Sequence, residues 1–215
     1  MKISGAIFDL DGTLLDSMFI WETIGEDYIK AKGFVPEDNL RDKLKNTSLK
    51  QAAEYLKYNY PLTESIDKIV DEVNVMTEDF YINKGQLKDG AKELLYFFKN
   101  KGVKMCVATA TDRYLAEAAL KRNDILHYFD RIFTCSEVGH GKDEPHIFRQ
   151  ALEFLGTDKT ETWVFEDACH AAKTAKKEGF RVCGIYDKWE RNSSAVKDAS
   201  DLYIKSFTEA IQLTK

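Results

Sequence analysis

No two of the four cysteines, Cys106, Cys135, Cys169 and Cys183, are spaced as C-x-x-C. That absence argues against a zinc knuckle and a thioredoxin-like motif. Cys106 and Cys183 sit inside apolar runs, where a small thiol packs as core. A reduced, intracellular setting is expected. No apolar run is long enough to span a bilayer. The opening MKISGAIFDLDG has too short an apolar stretch for a secretory signal, so a cytoplasmic location is expected. With 31 basic and 36 acidic residues the net charge is −5, so non-specific binding to nucleic acid or an anionic membrane is not expected. A small anionic ligand at a locally basic site remains compatible with that balance. Histidine is scarce too: His127, His140 and His146 are dispersed along the chain, which argues against zinc. Cys169 and His170 are neighbours on an expected helix and point about 100° apart, so they do not form a nucleophile–base pair. Internal repeats and low-complexity tracts are also missing.

What is present is a chain of 215 residues, 44 % of them hydrophobic, enough for one sizeable core with a modest insertion. Six short runs rich in β-branched and aromatic residues read as strands, at 3–8, 103–109, 131–134, 162–166, 181–186 and 201–204. Helical patterns alternate with them. One places Ala91, Leu94, Leu95 and Phe98 on one face and ends at Gly102. Another follows Thr111 or Asp112 as its cap. A third starts near Pro145 and ends at Gly156, and a fourth ends at Gly179. This alternation predicts an α/β fold, a doubly wound, Rossmann-like parallel sheet covered on both faces. Residues 16–85 break the rhythm. They read as helical throughout, with Pro36 and Pro61 between segments. The expected organisation is a core of residues 1–15 and 86–215 with a helical domain of residues 16–85 inserted.

In an open parallel sheet, ligands bind beyond the carboxyl ends of the strands. The first strand delivers Asp9 and, in the turn, Asp11 and Gly12. The second delivers Thr109, Ala110 and Thr111; the third is followed by a glycine-flanked Lys142; the fourth delivers Glu166 and Asp167. Asp9, Asp11 and Asp167 gathered in apolar surroundings would be costly without a cation. Magnesium, a hard oxygen-seeking ion, offsets that cost with a few carboxylates, water and substrate phosphate. The set suits a phosphoryl group, with one carboxylate able to attack phosphorus and a second able to protonate the departing oxygen.

These residues resemble the haloacid-dehalogenase superfamily of phosphohydrolases over nearly the whole chain. FDLDGTLLDS is similar to its first motif, VATATDR to the second, GHGKDEP to the third and VFEDACHAAKTAKKEGF to the fourth. The insertion at 16–85 resembles the family's type-1 cap, and the chain looks most like the β-phosphoglucomutase-like phosphatase branch. The resemblance implies Asp9 as nucleophile and magnesium ligand, and Asp11 as general acid/base with its backbone carbonyl on the metal. It implies Thr109 and Lys142 as holders of the transferring phosphoryl and Asp167 as a metal ligand. Glu166 would bind the ion or orient a metal-bound water. The amides of Leu10 and Asp11 would add phosphate contacts.

The third motif departs from the family's Lys-Pro-x-Pro-Asp, reading Lys142-Asp143-Glu144-Pro145-His146. Where β-phosphoglucomutase carries a cap histidine, this chain has Ile20 and Trp21, which favours hydrolysis over mutase chemistry. Substrate choice falls to the cap, with Ser17, Trp21, Arg41, Lys45, Ser48 and Lys50 as candidates to face the site. Thr111 and Arg113 are candidates on the core side. The expected activity is a magnesium-dependent phosphatase of small phosphorylated metabolites, acting as a monomer. The rival expectations are a phosphomutase and a noncatalytic protein that binds phosphorylated metabolites as a regulatory switch.

Overall fold

The apolar runs become six strands: β1 Gly5–Phe8, β2 Lys104–Thr109, β3 Arg131–Thr134, β4 Thr162–Glu166, β5 Arg181–Ile185 and β6 Leu202–Ile204. The computed structural model describes residues 2–44 and 47–214. All six strands pair in parallel, in the order β3-β2-β1-β4-β5-β6. The chain therefore winds outward from β1 in both directions, as a doubly wound sheet does. Both faces of such a sheet are covered, so its strands are apolar throughout rather than alternating. Every residue of β1 and of β4 is buried.

Between β1 and β2 the chain makes α1 Met18–Trp21, α2 Ile24–Ala31, α3 Leu40–Leu44, α4 Leu49–Asn59 and α5 Ile66–Asp79, and then a π-helical turn at Phe80–Lys84. No strand lies in this stretch among the described residues. Serines cap two of these helices, α4 and α5. Ser48 Oγ accepts from Gln51 N at 3.3 Å while Gln51 Oε1 accepts from Ser48 N at 2.8 Å, a reciprocal capping box. Ser65 Oγ accepts from Lys68 N at 3.2 Å. Tyr28, Ile29, Leu40, Ala53, Leu56, Leu62, Ile69 and Val73 form an apolar cluster separate from those on the sheet. The stretch leaves and rejoins the sheet at one place. Asp16 N donates to Gln86 O at 3.0 Å and Lys88 N to Leu14 O at 2.9 Å.

The remaining helices are α6 Ala91–Asn100, α7 Arg113–Arg122, α8 Cys135–Val138, α9 His146–Leu155, α10 Cys169–Lys177, α11 Ser193–Ala199 and α12 Phe207–Thr214. Leu94, Leu95 and Phe98 of α6, Leu115 of α7 and Phe207 of α12 pack with Phe8, Val107 and Phe165 on one face. Ile147 and Phe148 of α9 and Ala171 and Ala172 of α10 pack with Ile7, Cys106 and Val164 on the other. Phe8 and Phe165, side by side on β1 and β4, stack with centroids 4.4 Å apart. Asp112 stands at the α7 cap position, its carbonyl accepting from Ala116 N at 3.0 Å, but its side chain makes no bond to that helix. Its carboxylate accepts instead from Asn74 and Ser136. All four cysteines are free thiols. Among the described residues no helix is long and apolar enough to cross a membrane.

Candidate active site

The register of the sheet gathers the acids. Phe8 pairs with Phe165, so the next residues, Asp9 and Glu166, emerge side by side at the carboxyl edge. Asp9 N donates to Phe165 O at 3.0 Å, which fixes the first residue beyond β1. Asp167 follows directly. Thr109 closes β2, and its hydroxyl accepts from Thr111 N at 3.0 Å. Lys142 arrives on the loop between α8 and α9. Gly12 turns the chain after β1 with φ +77°, a conformation that favours glycine. A Cβ there would run into the Asp167 carboxylate, so the turn can sit against that acid only if the side chain is missing.

Asp9, Lys142, Glu166 and Asp167 are all buried. Lys142 Nζ donates to Asp9 Oδ1 and, at 2.9 Å, to Glu166 Oε2. Burial and the Glu166 charge push the Asp9 carboxyl up to about 6, against the opposing pull of Lys142. Burial, then Glu166 and Asp9, push Asp167 well above the usual carboxylate range. Burial disfavours the Lys142 ammonium, but the Asp9 and Glu166 charges outweigh it and hold the group above the usual lysine range. Thr13 Oγ1 donates to Asp167 Oδ1 at 3.0 Å and so aims that carboxylate. One oxygen from each of Asp9, Glu166 and Asp167 lies within 4.8 Å of the others. One lysine leaves this group with surplus negative charge. An all-oxygen donor set of that kind fits a hard divalent cation, and these three residues could hold one.

Asp11 is arranged differently. Its side chain stands apart from the clustered donors and is met by three hydroxyls. Ser17 Oγ donates to Oδ1 at 2.6 Å, Tyr81 Oη to Oδ1 at 2.7 Å, and Thr111 Oγ1 to Oδ2. Burial raises its carboxyl above the usual range despite these bonds. A carboxyl that holds its proton more tightly than usual is suited to pass a proton to a leaving oxygen.

Above the acids lies a cleft of about 220 Å³. Asp9, Asp11, Thr109, Lys142, Glu166 and Asp167 line its floor, and Ala110 lies at its rim. Trp21, Glu22, Arg41 and Ser48 line it from the helical stretch, with Arg41 paired to the buried Glu22. Two expectations for substrate contact are corrected by the geometry. Ser17 is completely buried and gives its hydroxyl to Asp11, so it does not face the cleft. Arg113 lies outside the cleft because Glu137 takes its guanidinium as a fork, at 2.6 Å through Nη2, while the Ile132 carbonyl accepts at 2.8 Å. Lys50 is exposed and away from the lining, and Lys45 lies outside the described residues. Trp21 lines the cleft, and its indole N–H donates to Tyr81 Oη at 3.1 Å.

Sequence reasoning gave no role to Thr13, Tyr81, His170 or Trp189. Thr13 was within reach, since it closes the Asp-x-Asp-Gly-Thr run. Tyr81 lies 70 residues from Asp11 and carries no local signal. His170 and Trp189 line the cleft from the core, and the Trp189 indole nitrogen is buried without a hydrogen-bond partner.

Comparison with known proteins agrees with this architecture. Residues 6–185 match the family model described as haloacid dehalogenase-like hydrolase. The chain is 25 % identical over 184 residues to the phosphorylated carbohydrates phosphatase of Thermotoga maritima, covering 85 % of each chain. It is 26 % identical over 223 residues to the putative pyrophosphatase PpaX of Caldanaerobacter subterraneus, covering 100 % of this chain and 96 % of that one. The crystal structure of CbbY from Rhodobacter sphaeroides in complex with phosphate superposes with a TM-score of 0.84 at 23 % identity, covering 96 % of each chain. With the family model spanning most of its length, the chain belongs to the haloacid dehalogenase-like hydrolases.

Proposed function

We propose that this hydrolase is a magnesium-dependent phosphatase of small phosphomonoesters, sugar phosphates among them, working through an aspartyl-phosphate on Asp9. The observation that carries the reading is the cluster of three buried carboxylates around Lys142 at the carboxyl edge of β1 and β4. Relatives named as phosphatases of phosphorylated carbohydrates and of validoxylamine A 7'-phosphate support the substrate class. Asp9, Glu166 and Asp167 would hold the magnesium ion, together with the backbone carbonyl of Asp11. Bound there, the ion supplies positive charge to the phosphoryl oxygens.

In the first step an Asp9 carboxylate oxygen forms a bond to phosphorus while the ester P–O bond breaks. Asp11 gives its proton to the departing alcohol oxygen. Lys142 and Thr109 hold the phosphoryl group in line through charge and hydroxyl contacts. In the second step Asp11 takes a proton from water, the oxygen of that water bonds to phosphorus, and the Asp9–phosphorus bond breaks. Inorganic phosphate leaves and both aspartates return to their starting state. Residues 16–85 act as a cap on the core of residues 1–15 and 86–215, closing over the substrate and limiting water.

Phosphate release from a panel of phosphorylated metabolites, with and without MgCl2, tests the proposal. Asp9→Asn is expected to lower turnover by at least about 10⁴-fold with an unchanged circular dichroism spectrum. Undiminished release by that variant overturns Asp9 as nucleophile. Isomerised sugar phosphate in place of free phosphate overturns hydrolysis.

A further inference from the structure

Dispersed in sequence, His140 and His146 meet in space. The chain reverses between them through a turn in which Glu144 N donates to Gly141 O at 3.2 Å. Gly141 has no side chain to collide with the Asp143 carboxylate that folds over it. The two imidazoles stack with centroids 4.0 Å apart and planes inclined by 22°. Glu144 reaches both: Oε1 lies 3.2 Å from His140 Nδ1 and Oε2 3.3 Å from His146 Nε2. One donor atom from each residue lies within 4.8 Å of the other two.

We propose that His140, Glu144 and His146 form a second metal site, for a borderline transition-metal dication such as Zn²⁺ or Ni²⁺. Ions that bind nitrogen and oxygen at about 2.0–2.1 Å in a tetrahedron hold neighbouring donors about 3.3–3.4 Å apart. Each imidazole nitrogen faces its own oxygen of the Glu144 carboxylate, at 3.2 and 3.3 Å, and with one donor atom from each residue within 4.8 Å of the other two a small closure of these side chains reaches that edge. Two imidazoles and one carboxylate select zinc, nickel or copper over magnesium, which prefers oxygen alone. The side chains of His140 and His146 are each 42 % exposed, which leaves an entry path and room for a water ligand. An ion here would tie together the two ends of the loop that delivers Lys142 to Asp9 and Glu166. The site shares no donor with the acidic cluster and does not depend on the phosphatase reading.

The test is calorimetric titration of the full chain with NiCl2 in saturating MgCl2, which occupies the carboxylate cluster first. The expected result is a single class of Ni²⁺ site, weakened by at least about tenfold in His140→Ala and in His146→Ala. Both positions are surface-exposed, and circular dichroism checks that each variant folds. Failure of the wild type to bind Ni²⁺, or equal affinity in the wild type and both variants, overturns the proposal.

Discussion

Tyr81 donates its phenolic hydrogen to Asp11 Oδ1 at 2.7 Å, linking the π-helical turn at the end of the insert to the acid beyond β1. Burial, reinforced by the Asp11 charge, pushes the Tyr81 phenol well up, so it stays a donor. Its oxygen in turn accepts from Trp21 N–H at 3.1 Å. A chain of bonds thus runs from a cleft-lining aromatic through the root of the insert to Asp11. Tyr81 is a positioning residue in this scheme. Tyr81→Phe is expected to lower kcat by about 10–100-fold with KM little changed. It removes one bond that favours the Asp11 carboxylate, so the kcat limb that reports Asp11 moves to higher pH. Steady-state rates across pH decide the matter. A variant with the wild-type profile removes Tyr81 from the scheme.

Lys142 is the only cation bonded to Asp9 or Glu166 among the described residues. Removing one member of a buried ionic group leaves the rest uncompensated, at about 3–5 kcal/mol. Lys142→Met keeps the bulk and deletes the charge. In metal-free buffer its urea midpoint is expected to fall by the equivalent of about 3–5 kcal/mol. MgCl2 is expected to restore part of that loss, because a divalent ion among the same carboxylates replaces the missing charge. Equal stability of variant and wild type without metal contradicts this account of the site.

Gly12 and Gly33 both have positive φ, +77° and +83°, but their surroundings differ. A Cβ on Gly12 meets Asp167, and lies 2.7 Å from Met18 Cγ, whereas one on Gly33 meets nothing within 4 Å. Each substitution by alanine carries about 1–2 kcal/mol of left-handed backbone strain. Only Gly12→Ala also displaces a carboxylate of the candidate metal set. The half-saturating MgCl2 concentration for phosphate release is expected to rise by about tenfold or more in Gly12→Ala. In Gly33→Ala it is expected to stay at the wild-type value. Identical magnesium dependence in the two variants means that Gly12 serves the turn alone.

The sheet was legible because burial on both faces demands unbroken apolar runs, and such runs stand out at any position. The expected strand at 103–109 appears as Lys104–Thr109, and the one at 201–204 as Leu202–Ile204. Asp9, Asp11, Glu166 and Asp167 could be read because each stands where an apolar run stops. The support around them could not. Ser17 reads as a polar residue free to face substrate, yet in space it serves Asp11. Arg113 reads as a free cation near a strand end, yet Glu137 is across the turn to take it. The proximity of His140 and His146 depends on a glycine-led reversal, and histidine spacing alone carries no trace of it.

His170 offers a test by pH. Burial and the nearby Lys142 charge hold its imidazole below the usual 6.5, although Asp143, Glu190 and Asp9 pull the other way. The folded chain therefore accepts this proton less readily than the unfolded chain. Between the unfolded value, near 6.5, and the lower folded value, the unfolded state binds more protons. Stability from a neutral His170 is full above about pH 6.5 and is lost as pH falls through that window. His170→Gln keeps a polar side chain and cannot titrate. The melting temperature of the wild type minus that of His170→Gln should decline from about pH 7.5 to about pH 5. Calorimetric scans in low salt measure it, and titration of the other acids cancels in the difference. Parallel curves mean that His170 is solvated in the cleft and takes up its proton as freely as in the unfolded chain.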